Sequence, residues 1–227
     1  TVDNGPCANG ITTDQVRILV YDENNVNADA GADQQHCSPI NSTTLSGSPV
    51  IVPAVGTWTV ISGTAAIADP NDPNTAITGL VVGEVVLEWT VDNGPCANGA
   101  TSDRVSIFIF DEQNPDADAG ADQELCTPNT IATLDGSPVT FPAVGTWVLV
   151  SGQGTITDAN SPNTTVTDLA VGVNVFRWTV DNGPCANGTT TDEVSLLLFD
   201  LNNQQADAGP DQSLCTPNTS TTLAGSG

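Results

Sequence analysis

An all-β chain of tandem sandwich domains is what this sequence predicts, and three observations carry the prediction. The decapeptide TVDNGPCANG occurs at Thr1, Thr90 and Thr179, so one structural unit recurs every 89 residues. Within the period, short segments rich in β-branched and aromatic residues alternate with clusters of Gly, Pro, Asn and Asp. No segment carries the apolar spacing of an amphipathic helix.

The cysteines keep the same period. Cys7, Cys96 and Cys185 are 89 residues apart, as are Cys37, Cys126 and Cys215. A unit of 89 residues can close its own core, unlike the shorter repeats of solenoids. Counting units from the Ala-Asp-Ala-Gly signal gives the C-terminal part of one repeat at 1–27, complete repeats at 28–116 and 117–205, and the start of another at 206–227. This division reads as a window on a longer polypeptide, with both ends inside a domain.

Each element can be placed in turn. Strands are expected near 33–37, 43–47, 49–53, 56–63, 75–80, 84–91 and 103–111, with DPNDPN at 69–74 as a turn cluster. Seven strands per unit is the inventory of an immunoglobulin-like sandwich. Trp58, Trp89, Trp147 and Trp178 are expected as core fillers between the sheets, the alternative being a face on which sugars stack. The repeated decapeptide falls between the last two strands. Its Asn-Gly and Gly-Pro steps suit a hairpin connection, because Gly and Asn accept positive φ and Pro fixes its own.

That connection carries one of the two cysteines of a unit. The favoured pairing is Cys37 with Cys96 and Cys126 with Cys185, each closing a loop of 59 residues worth about 4 kcal/mol in the chain-entropy model, with Cys7 and Cys215 paired outside these residues. The alternative, Cys7 with Cys37 and Cys96 with Cys126, spans 30 residues and joins consecutive units. Either pairing places the chain in an oxidising, extracytoplasmic compartment. The spacings offer no C-x-x-C or Cys/His set, so no zinc site is expected.

Charge excludes several partners. Three basic residues stand against 27 acidic ones, and Lys is absent. Such a surface repels nucleic acid and anionic membrane, so no nucleic-acid partner is expected. Without Lys there is no Lys-to-Asn isopeptide brace. Catalysis finds no footing either. His36 is the single histidine, its equivalents are Leu125 and Leu214, and no Ser or Thr is set beside a His and an acid. The sequons at Asn41, Asn163, Asn187 and Asn218 are read as unmodified.

The remaining chemistry is calcium. Hard oxygen ligands cluster where units meet: Asp22, Glu23, Asp29 and Asp33; Asp111, Glu112, Asp116, Asp118 and Asp122; Asp200, Asp207 and Asp211. Such groups can bind Ca²⁺ and stiffen a hinge, although they match no fixed loop such as the EF-hand. The bland alternative is a hydrated linker. No other cofactor is expected.

Three signals together carry a family resemblance: A-D-A-G-x-D-Q-x-x-C from Ala28 to Cys37, P-A-V-G-T-W from Pro53 to Trp58, and W-T-V-D-N-G-P-C from Trp89 to Cys96. The sequence resembles the PKD-like and immunoglobulin-like repeats of giant Bacteroidota surface adhesins, those of gliding motility among them. The resemblance implies PKD-like sandwiches arranged as an elongated filament outside the outer membrane, exported by type IX secretion. It also implies neighbouring repeats and the motility and secretion machinery as partners, with other parts of the parent protein meeting an external surface or polysaccharide. No catalytic residue comes with it. Beside the stalk reading stand a repeated carbohydrate-binding module, which needs an exposed aromatic platform, and a spacer in a secreted enzyme.

Overall fold

Alternating burial along the longest segments shows how the strands form in a computed structural model, which describes residues 1–227 except 7–9, 204 and 226–227. After a short pair, Val2–Asp3 (β1) and Ile11–Thr12 (β2), the first complete repeat contains Gln34–Cys37 (β3), Ser42–Thr44 (β4), Val55–Ser62 (β5), Ala66–Ile67 (β6), Ala76–Thr78 (β7), Gly83–Asp92 (β8) and Ala100–Phe110 (β9). The second contains Gln123–Cys126 (β10), Ala132–Asp135 (β11), Val144–Ser151 (β12), Thr155–Ile156 (β13), Asn163–Thr167 (β14), Gly172–Asp181 (β15) and Thr189–Phe199 (β16). Each repeat thus has the expected seven strands, and no helix occurs among the described residues.

Both repeats form the same two sheets. A four-stranded sheet runs β3-β9-β8-β5 in the first and β10-β16-β15-β12 in the second, facing three-stranded sheets β4-β7-β6 and β11-β14-β13. In β8, Val85, Leu87, Trp89 and Val91 point inward and their neighbours outward, the period of two that a half-buried strand requires. Most pairings are antiparallel. The exception is the first strand of each repeat, which lies parallel to the last: Cys37 is level with Phe110, and Cys126 with Phe199.

The tryptophans are where the sequence places them. Trp58 and Trp89 face each other across β5 and β8, with ring centroids 4.9 Å apart, and Trp147 and Trp178 repeat the pair at 5.0 Å. All four are at most 2% exposed, so none offers a platform for a sugar. Their indole N–H groups are satisfied: Trp89 donates to Ser48 Oγ and Trp58 to the Pro73 carbonyl, as Trp178 does to Ser137 Oγ and Trp147 to the Pro162 carbonyl. The glycine of P-A-V-G-T-W makes room for this stack. A Cβ on Gly56 would lie 2.2 Å from Trp89, and one on Gly145 2.2 Å from Trp178.

One expected strand does not form. Residues 49–53 are irregular, because Pro49 and Pro53 have no N–H to give a ladder and close off a stretch of only three residues. The three-stranded sheet instead recruits β6, a two-residue strand that the residue pattern does not signal.

Gly145→Ala is expected to lower the stability of the second repeat by about 1–3 kcal/mol through overpacking against Trp178. Equilibrium denaturation checks this, and an unchanged midpoint would contradict the close packing.

Candidate functional site

Six asparagines and two aromatic rings give the repeated decapeptide its role. In the first repeat it connects β8 to β9 as expected, with the turn closed by Asn93 N–H donating to the Gly99 carbonyl and Gly99 N–H to the Cys96 carbonyl. Asp92 Oδ1 accepts the Gly94 N–H. The loop then rests on an earlier piece of chain. Gly94 has φ +61° and faces the Tyr21 ring, which a Cβ would approach to 2.6 Å, so glycine is required twice over.

Beside that ring lies Asn25, 5% exposed although it follows a polar run. Asp22 folds the run into a turn, its carboxylate accepting Asn24 N–H and its carbonyl accepting Asn25 N–H. Asn25 Nδ2 donates to Asn93 Oδ1, Asn98 Nδ2 donates to the Asn25 carbonyl, and Asn25 Oδ1 accepts the Ile51 N–H at 3.3 Å. The irregular segment 49–53 therefore has a use, since a backbone N–H outside the sheets is free to close on a side chain.

The same assembly recurs 89 residues later. Phe110, Asp111 and Asn114 take the places of Tyr21, Asp22 and Asn25, and the decapeptide loop is now Asn182–Gly188, which packs with Thr1–Asn114 and Thr140–Ala143 as part of one compact unit. Gly183, at φ +55°, faces the Phe110 ring at 2.6 Å for a Cβ. Asn182 Nδ2 donates to the Asp111 carbonyl and to Asn187 Oδ1, Asn187 Nδ2 donates to the Asn114 carbonyl, and Asn114 Oδ1 accepts the Thr140 N–H at 3.0 Å. Among the described residues, four buried amide atoms lack a partner: Asn93 Nδ2, Asn98 Oδ1, Asn114 Nδ2 and Asn182 Oδ1. Each copy makes the bond that the other lacks. The first copy has Asn25 to Asn93, whose equivalent would be Asn114 to Asn182, and the second has Asn182 to Asn187, whose equivalent would be Asn93 to Asn98.

The second copy is also covalently sealed. Cys37 is bonded to Cys185, 148 residues away. This corrects both pairings expected from the sequence. Cys37 ends β3, which runs parallel to β9 and so lies level with Phe110, whereas Cys96 precedes the other end of that 11-residue strand. A strand of that length separates the two by about 35 Å, far beyond the roughly 7 Å reach of a disulfide. The same geometry parts Cys126 from Cys185. Cys96, Cys126 and Cys215 are free thiols, so the 30-residue pairing of Cys96 with Cys126 is absent, and Cys7 lies outside the described residues. In the chain-entropy model a closed loop of 148 residues contributes about 5 kcal/mol.

The acids named for calcium are spread out. Asp22, Asp29, Asp111, Asp118, Asp200 and Asp207 each use Oδ1 to accept the N–H two residues on, holding their own turns. Asp33 and Asp122 accept Ser106 and Ser195 N–H, tying the first strand to the last. Glu23 and Asp116 are exposed. Among the described residues, one group of three could gather round an ion, Cys37, Glu112 and Cys185, and its two sulfurs are already bonded to each other. His36 lies on β3 against Gln34 Oε1. A shallow apolar cleft of about 550 Å³, bordered by Pro49, Val52, Pro53 and Asn71, has no acid, histidine or cysteine in its lining.

The chain is similar to known proteins over part of its length. Residues 119–197 match the family model described as K319L-like, PKD domain. The fold is PKD-like. The mouse protein named Dyslexia-associated protein KIAA0319 homolog is 30% identical over 159 residues, which is 68% of this chain and 15% of the relative. The human Dyslexia-associated protein KIAA0319 is 35% identical over 129 residues, 54% of this chain and 12% of the relative. The chain thus spans 12–15% of the length of the curated relatives it matches. Among solved structures, the PKD domain from KIAA 1837 protein is 30% identical, covering 44% of this chain and 96% of its own, with a TM-score of 0.33. Sidekick-1 immunoglobulin domains 1–5 are 11% identical, covering 81% of this chain and 40% of theirs, with a TM-score of 0.41.

Asn114→Ala is expected to cost about 1 kcal/mol, because Thr140 N–H loses its acceptor in a part-buried place and the buried Asn114 side chain is removed. Thermal denaturation measures it, and a loss under half a kcal/mol would demote the amide cluster to packing. EDTA is expected to leave the same midpoint unchanged, since turn closure accounts for the aspartates, whereas a fall on chelation would assign them to a metal.

Proposed function

We propose that these PKD-like repeats are stalk repeats of a very large cell-surface adhesin, acting outside the cell as structural spacers. In this reading the parent is a gliding-motility filament of Bacteroidota of the SprB kind, attached at the outer membrane and exported by type IX secretion. Its tip, rather than these repeats, meets an external surface or polysaccharide. The partners of the repeats themselves are neighbouring repeats.

The observation that carries the reading is how the decapeptide is used. Its two asparagines, its first glycine and, in the second copy, its cysteine are all engaged with the chain's own turns and rings. A loop so committed has little left for a ligand. Burial of all four tryptophans keeps the largest aromatic faces away from any carbohydrate. The disulfide supports an oxidising location, and the surface charge keeps similar units from sticking. The Bacteroidota setting is supported by the quoted motifs alone.

A spacer under tension should hide length behind the disulfide. Pulled from its ends, the oxidised chain is expected to withhold from extension the stretch between Cys37 and Cys185, a sequence separation of 148, and reductant to release up to about 500 Å of contour. Single-molecule stretching measures this. Extension indifferent to reductant would contradict the mechanical reading, and saturable binding of the chain on a glycan array would favour the carbohydrate module.

A further inference from the structure

The tyrosine or phenylalanine turn occurs three times at the repeat spacing: Tyr21-Asp22-Glu23-Asn24-Asn25, Phe110-Asp111-Glu112-Gln113-Asn114 and Phe199-Asp200-Leu201-Asn202-Asn203. A decapeptide loop covers the first two. The third is built in the same way. Asn202 N–H donates to Asp200 Oδ1 and Asn203 N–H to the Asp200 carbonyl, as Gln113 and Asn114 do at Asp111. Leu201 N–H donates to Thr127 Oγ1 as Glu112 N–H does to Ser38 Oγ, and Thr127 N–H donates to the Phe199 carbonyl as Ser38 does to Phe110. Cys126 stands level with Phe199 as Cys37 stands level with Phe110.

What differs is exposure. Phe110 is 6% exposed and its cysteine neighbour is bonded, whereas Phe199 is 46% exposed, Leu201 is 69% exposed, and Cys126 is an exposed thiol. An aromatic face of this kind beside a thiol, with its turn already folded, is a receiving surface whose complement is known from the two earlier copies. We propose that Phe199, the Asp200–Asn203 turn and Cys126 form a docking site for the DNGPCANG loop of a further repeat of this same sequence, sealed by a disulfide between Cys126 and the cysteine of that loop. The inference holds whether the repeats serve as stalk or as ligand modules, because it concerns only how one repeat holds another.

The glycine of the incoming loop would lie on the Phe199 ring, where any side chain is excluded as it is at Gly183 on Phe110. Sealing converts two thiols into one disulfide, with two protons and two electrons leaving, and the acceptor is a small-molecule disulfide such as oxidised glutathione. The Cys126 thiolate attacks that disulfide, releasing one thiol and forming a mixed disulfide. The loop thiolate then attacks the Cys126 sulfur and expels the second thiol.

The test extends the chain by a copy of its own residues 139–227 placed directly after Gly227. This puts the copied Cys185 at the same spacing of 148 from Cys126 that separates Cys37 from Cys185. After refolding in a glutathione redox buffer, non-reducing peptide mapping should recover Cys126 joined to the copied Cys185, and Cys126 should lose its reactivity towards iodoacetamide. Cys126 recovered free, joined within its own repeat, or joined to a second molecule overturns the proposal. A Cys126→Ser version of the extended chain tests docking without the bond: amides of the copied loop should exchange at least tenfold more slowly with Phe199 intact than in the added Phe199→Ala variant. Equal exchange in the two would overturn the docking face even if a disulfide were found.

Discussion

A buried asparagine in the turn that precedes each complete repeat is the constraint from which the rest of this structure follows. Asn25 and Asn114 are among the few buried polar residues, and each sits where an amide without partners would be costly. Their Oδ1 atoms take a backbone N–H from the irregular Pro-flanked segment, and their carbonyls take an amide N–H from the second asparagine of the decapeptide. Three pieces of chain that no sheet ladder connects are thereby held together. The glycine facing Tyr21 or Phe110, the first asparagine of the loop and the disulfide all serve the same junction.

This explains why the decapeptide is repeated without change while the strands around it drift. A strand position needs only an apolar side chain of suitable size, so Leu87 can become Phe176 and Ile107 can become Leu196. The charge pair on the exposed face can even reverse, Glu88 with Arg104 becoming Arg177 with Glu193. A loop that must present two amides, a glycine under a ring and a thiol has no such latitude. The sequence identity measures how much chemistry each position carries.

The legible parts of the fold are those set by local pattern. The period of two in β8 and β15, the turn chemistry of Asn-Gly and Gly-Pro, and the bulk of paired tryptophans are readable because each depends on neighbours in sequence or directly across a hairpin. The disulfide was not readable, because it turns on β3 lying parallel to β9, a pairing between elements more than 60 residues apart that no residue along either strand announces. The clamp was half visible. Its aromatic-Asp-x-x-Asn turn keeps the repeat spacing, but nothing along the turn announces that its aspartate folds it while the asparagine at its end enters the core. Segment 49–53 shows the same lesson from the other side. Its β-branched residues favour a strand, its two prolines forbid one, and the N–H left over is the one the clamp uses.

The most direct test is hydrogen exchange at two amides, Ile51 and Thr140. Neither lies in a strand, and the acceptors of both are asparagine side chains. If the amide cluster holds the junction, both exchange as slowly as neighbouring strand amides, and Asn25→Ala and Asn114→Ala each release the one amide they serve while leaving the β8 and β15 ladders protected. Exchange at Ile51 and Thr140 as rapid as at exposed turns in the unaltered chain would contradict the account at its centre.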